Sequence, residues 1–326
     1  MNIGLTYDLK TTYLQQGFSH EEVAEFDSEE TISGIESTLL ALGYYPERIG
    51  NIMELAHALT SGKRWDLVFN IAEGLYGIGR EAQVPALLDA FRIPYVFSDP
   101  MVLSLTLHKG MAKHVVRGNG IPTAAFAVVK GEKDLKNIEL EYPLFIKPVA
   151  EGTGKGITQK SFITNADELA RNAMELLHRF GQPVLVEEYL PGREFTVGIT
   201  GTGEDAKPCG IMEIIVHNKE EQIYSLLNKE QYESRVAYSL PEKEITERCY
   251  EIALKSWNAL ECRDGGRVDL RLDKSGVPNF IEVNPLAGLN PIHSDLPILC
   301  RMNGMSYHEL IDRIMQSALK RICKTK

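Results

Sequence analysis

One stretch constrains this chain more than any other: RVDLRLDKSGVPNFIEVNPLAG, from Arg267 to Gly288. Val268, Leu270 and Leu272 alternate with Arg267, Asp269 and Arg271, a period of two that predicts a strand with one buried face. DKSG is turn chemistry and NFIEVN a second strand, so the whole reads as a β-hairpin. Paired antiparallel, its strands would set Asp269 beside Glu282 and Asn284, because residues two apart share a face. Two carboxylates and an amide oxygen, with positions left for water and phosphate oxygens, suit a hard octahedral cation such as Mg²⁺. Arg267 adds a fixed cation for a transferring phosphoryl group. Alone, the same pattern describes an amphipathic hairpin with a solvated polar face, and the rest of the chain has to decide.

With 326 residues the chain can build two or three subdomains, and 44% hydrophobic with 25% charged residues is ordinary globular composition. A net charge of −10 offers no footprint for a polyanion, so no nucleic acid is expected and any bound phosphate is held by a few local cations. Five cysteines without CxxC spacing argue for a reducing compartment. The N-terminus reads directly as a strand and no apolar run is long enough to span a bilayer, so the expectation is a cytoplasmic protein without a membrane partner. There is no HExxH, no GxSxG, and no GxGxxG after the first strand, which leaves zinc hydrolase, nucleophile-elbow hydrolase and dinucleotide-binding readings unsupported.

Before Asp99, strand and helix patterns alternate: a strand over Ile3–Tyr7, a helix over Glu29–Gly43 with Ile32, Ile35, Leu39 and Leu42 on one face, a strand over Trp65–Asn70 and a helix over Ala82–Phe91. That rhythm predicts a small parallel sheet. Next, SDPMVLSLTLHKGMAKHVVRGNGIPT reads as a helix on which Lys109 and Lys113 share a face, a solvated stripe as far as spacing goes. PLFIKPVAEGTGKGI is a strand bearing Lys147, then a loop whose Gly152, Gly154 and Gly156 let backbone amides approach an anion. VLVEEYLPGREFTVGIT places Glu187, Glu188, Tyr189 and Leu190 before a Pro-Gly turn, and Glu194 opens another strand. Ile245–Leu260 and Tyr307–Leu319 read as helices.

GRVDLRLD, the turn and FIEVNPLAG together resemble the metal-binding hairpin of ATP-grasp ligases, specifically of the D-alanine–D-alanine ligase family. The likeness extends over nearly the whole chain and is strongest from about Ile93 onward. It implies an α/β and α+β architecture, the ATP-grasp fold: an N-terminal parallel α/β domain over 1–98, a central subdomain with the glycine-rich loop over 99–186, and a C-terminal subdomain with the metal site over 187–326. Asp269, Glu282 and Asn284 are then expected to hold two Mg²⁺ ions, for which Mn²⁺ can stand in. ATP is expected against Lys109, Lys147, Gly152, Thr153, Gly154, Lys155, Glu187, Glu188, Tyr189, Leu190 and Glu194, with Tyr224 and Lys229 on a loop that closes over it. The resemblance gives catalytic parts to Arg267, Lys229, Gly288, Thr153 and Glu30, the last holding the ammonium of the first substrate, with Glu29 its neighbour for the same role. It places Ser294 and Asp295 at the acceptor.

The implied activity joins two small amino acids by way of an acyl phosphate, with D-alanine first among substrates, in a homodimer. The chain departs from the family pattern where Asn70 and Glu73 stand in a loop that usually carries histidine, at Thr153, Gly154 and Lys155, at Glu230 with Tyr232 nearby, at Ala287, and at Asp295 in place of leucine. Asp295 either points away from the acceptor or meets an ammonium on a different one. The alternatives are therefore a ligase with another amino acid, hydroxy acid or peptide as acceptor, and an ATP-binding regulatory protein without turnover.

Overall fold

The computed structural model describes residues 1–216 and 236–325. The first part runs β1 (Asn2–Thr6), α1 (Lys10–Gln15), α2 (Glu29–Ala41), β2 (Tyr45–Gly50), α3 (Ile52–Thr60), β3 (Leu67–Asn70) and α4 (Gln83–Ala90). Its three strands form a parallel sheet in the order β2-β1-β3. Helix α2 shows why the local sequence folds as it does. Ser28 caps it by accepting from the Thr31 amide, Glu29 and Glu30 offset the dipole in the first turn, and Ile32, Ile35 and Leu39 are buried. The chain leaves the helix through Gly43, at φ +86°.

The next part runs α5 (Pro100–Leu107), α6 (Lys109–Gly118), β4 (Phe126–Val129), α7 (Glu132–Leu135), β5 (Leu144–Pro148), β6 (Phe162–Ile163), α8 (Ala166–Phe180) and β7 (Val184–Glu188). Its antiparallel sheet has the order β4-β7-β5-β6. The single helix expected after Asp99 is two. His108, with ψ 87°, breaks the chain, so Lys109 opens α6 instead of sitting within a continuous helix.

The last part runs β8 (Glu194–Thr200), β9 (Lys207–Val216), β10 (Val236–Ser239), α9 (Lys243–Ala259), β11 (Gly265–Leu272), β12 (Pro278–Asn284), α10 (Asp295–Met302) and α11 (Tyr307–Thr325). Five antiparallel strands are ordered β10-β9-β8-β11-β12. The stretch NPIHSDLPIL contains the start of α10. The inner face of β11 buries Val268 and Leu270 in one core with Cys249, Ala253 and Trp257 of α9, each large aliphatic side chain contributing about 1.5–3 kcal/mol.

The expected division does not coincide with packing. Strand β7 crosses 186/187, and the N-terminal sheet shares one core with Leu296, Ile298 and Leu299 of α10 and Ile311 and Ile314 of α11.

Candidate active site

Strands β11 and β12 pair antiparallel with Arg267 opposite Asn284, Asp269 opposite Glu282, and Leu270 opposite Phe280. The step from 282 to 280 is a β-bulge at Ile281. It resolves a conflict of parity, because Phe280 is buried in the core and Glu282 lines the cleft although the two lie two residues apart. Arg267, Asp269 and Arg271 share the opposite face from Val268 and Leu270, and all three face a cleft between this sheet and strands β5 and β7.

Asp269 accepts from Arg267 and from the Thr196 hydroxyl at 2.8 Å, and the Asn284 amide nitrogen lies 3.4 Å from its second oxygen. Glu282 is 3.5 Å from Lys109 Nζ. Among the described residues no group of three or more His, Cys, Asp and Glu side chains could hold a metal ion. Two adjacent carboxylates and one amide form an incomplete oxygen set of the kind a Mg²⁺ completes with phosphate oxygens, so the residues fit that ion.

Opposite them stands a buried triad, of which Glu187 and Lys147 line the cleft while Lys113 is fully buried. Glu187 on β7 lies 2.7 Å from Lys113 Nζ and 3.0 Å from Lys147 Nζ, and all three side chains are almost inaccessible. Burial pushes the Glu187 carboxyl up, but the two ammonium groups outweigh it and hold the carboxyl at about 2. Burial also lowers Lys147, yet Glu187 and Glu282 raise it above its ordinary value. Lys109 and Lys113 are therefore not a solvated stripe. Lys109 also donates to the Glu151 carbonyl at 2.5 Å.

In the glycine-rich loop, Gly154 and Lys155 line the cleft, with Lys155 2.9 Å from Glu151. Thr153 adopts φ +49° and its buried hydroxyl has no hydrogen-bond partner among the described residues. The Gly152 amide is turned away from the cleft function expected of it, donating to Glu25, whose other oxygen takes Arg80 at 2.7 Å. Glu188, Tyr189, Leu190 and Glu194 all line the cleft. The Glu188 amide donates to Ala125 and the Tyr189 amide to Pro143, while Pro191 has no N–H. Of that stretch, only Leu190 keeps an amide able to donate to a bound base.

Glu29 is held by Arg48 at 2.6 Å, whereas Glu30 is exposed and lies 3.3 Å from the Asn290 amide. Asn290 in turn donates its backbone N–H to Ser294 Oγ at 3.0 Å, and a Cβ on Gly288 would meet that same oxygen at 2.8 Å. Asp295 points inward, 3.7 Å from Arg267. Tyr224, Lys229, Glu230 and Tyr232 lie outside the described residues.

The family model described as D-ala D-ala ligase C-terminus matches residues 115–316. A D-alanine–D-alanine ligase of Bordetella pertussis is 32% identical over 286 residues, covering 83% of this chain and 86% of its own length. The chain belongs to the D-alanine–D-alanine ligase family. An uncharacterized protein of Sinorhizobium fredii, y4sG, is 30% identical over 267 residues, 81% of this chain and 76% of the other. The crystal structure of the Bacillus anthracis D-alanine–D-alanine ligase complexed with ATP shares the ATP-grasp fold, with TM-score 0.75, 22% identity and full coverage of both chains. As a D-alanine–D-alanine ligase family member, the chain adds two side chains that its sequence did not mark as site residues, Arg271 lining the cleft and Lys113 buried against Glu187. Lys113 is recognisable only once Glu187 is seen to need a second cation, and Arg271, which donates to the Tyr189 hydroxyl at 2.9 Å, had as its only signal the alternation with Arg267 and Asp269.

Proposed function

We propose that this chain is an ATP-dependent, ADP-forming carboxylate–amine ligase that activates a small amino acid, D-alanine first, and joins it to the amine of a second small molecule. The observation that carries this reading is the pairing of Asp269 with Glu282 across the hairpin, in one cleft with Lys109, Lys147 and the glycine-rich loop. The donor carboxylate attacks the terminal phosphoryl group of ATP, giving an acyl phosphate and ADP. The acceptor's amine nitrogen then bonds to the acyl carbon, and the carbon–oxygen bond to phosphate breaks with the electron pair leaving on phosphate.

Asp269, Glu282 and Asn284 would hold the Mg²⁺, which neutralises phosphate charge when bound. Lys109 and Lys147 bring cations to the phosphates, and Arg267 stands where charge develops at the acyl centre. Gly154 and Lys155 cover the nucleotide, Glu194 reaches the sugar, and Leu190 reads the base. Glu30, Thr153 and the Gly288 amide belong to the amino-acid side of the centre. The work of these groups is positioning, charge stabilisation and exclusion of water.

The domain limits we propose are 1–98, 99–190 and 191–326, the last boundary moved to the turn beyond β7. A cytoplasmic homodimer is the accompanying proposal. All five cysteines are free thiols, and no helix of the described residues is long and apolar enough to cross a membrane.

The test is amino-acid-dependent ADP release with Mg·ATP over single and paired D- and L-amino acids, with products identified by mass. Release that requires a D-amino acid donor and is lost in Glu282→Gln supports the ligase. Tight ATP binding with no turnover on any mixture sinks it and supports a regulatory ATP-binding role. The specific feature favouring an acceptor other than D-alanine is Asp295 facing Arg267.

A further inference from the structure

We propose that Asp295 selects an acceptor bearing a second cationic nitrogen, a diamine or a diamino acid, over one whose free carboxylate must be bound. The proposal rests on the ligase reading above and concerns only its second half-reaction.

Strand β11 is a ruler along the cleft. Arg271 touches Tyr189 at the end where the nucleotide base is read, Asp269 lies in the middle beside Glu282, and Arg267 lies at the far end. At about 3.3 Å per residue, Arg267 is roughly 13 Å beyond Arg271, on the side of the metal ligands away from the base. The acyl phosphate forms past the last phosphate of ATP, so the acceptor has to approach from this end.

Asp295 occupies that end on a rigid element. It is the first residue of α10, whose Leu296, Ile298 and Leu299 are buried in the core shared with the N-terminal sheet. Its Oδ2 stands 3.7 Å from Arg267 Nη1 and its Oδ1 takes the Tyr238 hydroxyl at 3.5 Å. Both contacts are too long to use a carboxylate's acceptor capacity, and the side chain is only 12% exposed. Among the described residues this carboxylate is poorly satisfied.

A free carboxylate on the acceptor would need the cations of this corner. Among the described residues that corner offers Arg267, 3.7 Å from Asp295, and the positive end of α10, whose first residue is Asp295. Arg267 is already bonded to Asp269 and feels the Glu282 charge as well, so three carboxylates surround one guanidinium. Pro297 removes one amide from the first turn of α10. A second carboxylate entering here meets like charge, whereas an ammonium or guanidinium completes the coordination that Asp295 lacks.

The experiment separates the two readings. With Mg·ATP and hydroxylamine but no acceptor, the donor amino acid yields its hydroxamate if the acyl phosphate forms. No hydroxamate from any donor overturns the ligase reading itself. With the donor that gives hydroxamate, kcat/KM is then measured for D-alanine, D-2,3-diaminopropionate and 1,2-diaminoethane in the native protein, Asp295→Asn and Asp295→Leu. The expected result is at least a tenfold preference for the diamino acceptors in the native protein, weakened in Asp295→Asn and reversed in Asp295→Leu, while hydroxamate formation by both variants reports an intact first half-reaction. A native preference for D-alanine, or a preference that both variants leave unchanged, overturns the assignment to Asp295.

Discussion

Lys147 Nζ stands 3.0 Å from Glu187 Oε1 on two neighbouring strands of the central sheet, and the pair reaches its full meaning through Lys113, which holds the other oxygen at 2.7 Å. Two cations share one carboxylate in a site with almost no solvent. Replacing Glu187 by glutamine therefore strands two buried ammonium groups, and Glu187→Gln is expected to lower unfolding free energy by about 3–5 kcal/mol near neutral pH. The pH dependence has a definite sign. Glu187 is held at about 2 against an ordinary 4.5, so its contribution is complete above 4.5 and is lost as pH falls through about 2. Urea unfolding of both proteins should show a gap that narrows below pH 4.5. A gap that is constant down to pH 2 would contradict the pairing.

The opposite sign holds at Asp27. Burial, with the charge of Asp8 added, pushes its carboxyl up to about 8. Between pH 4 and pH 8 the unfolded chain ionises this group while the folded chain keeps the proton, so stability falls as pH rises across that window. Asp27→Asn is expected to be more resistant to urea than the native protein at pH 8 and indistinguishable from it at pH 4. Equal midpoints at pH 8 would show that Asp27 does not keep its proton in the folded chain.

The hairpin from Arg267 to Asn284 was legible in the sequence because both of its signals are local: alternation at period two and a Lys-Ser-Gly turn. The bulge at Ile281 was not, since one extra residue changes parity without changing composition. Helix α2 was legible through its cap and apolar spacing, while strand β2 was not, because Tyr45 and Glu47 are exposed at a sheet edge and the strand carries no apolar run. Lys113 read as a surface lysine because its partner, Glu187, is 74 residues away. The direction of Asp295 depended on where α10 begins, a matter of tertiary packing against β8 and β9.

The cysteines give a chemical check on the packing. Cys323 is exposed, whereas Cys209, Cys249, Cys262 and Cys300 are buried. Burial pushes the Cys249 thiol up to about 12, and Cys209 is raised by its contact with Cys300, 3.6 Å between sulfurs. A thiol reagent at neutral pH should modify one group per chain rapidly and the other four only in denaturant. Two or more fast equivalents would show that the packing around the buried cysteines opens readily.

Arg267 supplies the sharpest test of the chemistry because its environment separates charge from packing. It is buried among Asp269, Asp295 and Glu282, whose charges raise it well above its ordinary value against the burial that lowers it, so it stays protonated throughout the accessible pH range. Arg267→Lys keeps a charge but loses the planar fork, and Arg267→Met keeps much of the volume and loses both. If Arg267 stabilises charge at the acyl centre, kcat in Arg267→Met falls about 10²–10³-fold with a small change in the KM for ATP, and Arg267→Lys recovers part of it. If its role is only to neutralise Asp269 and Asp295, both variants instead shift the Mg²⁺ requirement and the melting temperature while kcat at saturating Mg²⁺ is preserved. Measuring kcat against Mg²⁺ concentration in the three proteins distinguishes these outcomes, because a lost transition-state contact cannot be restored by more metal.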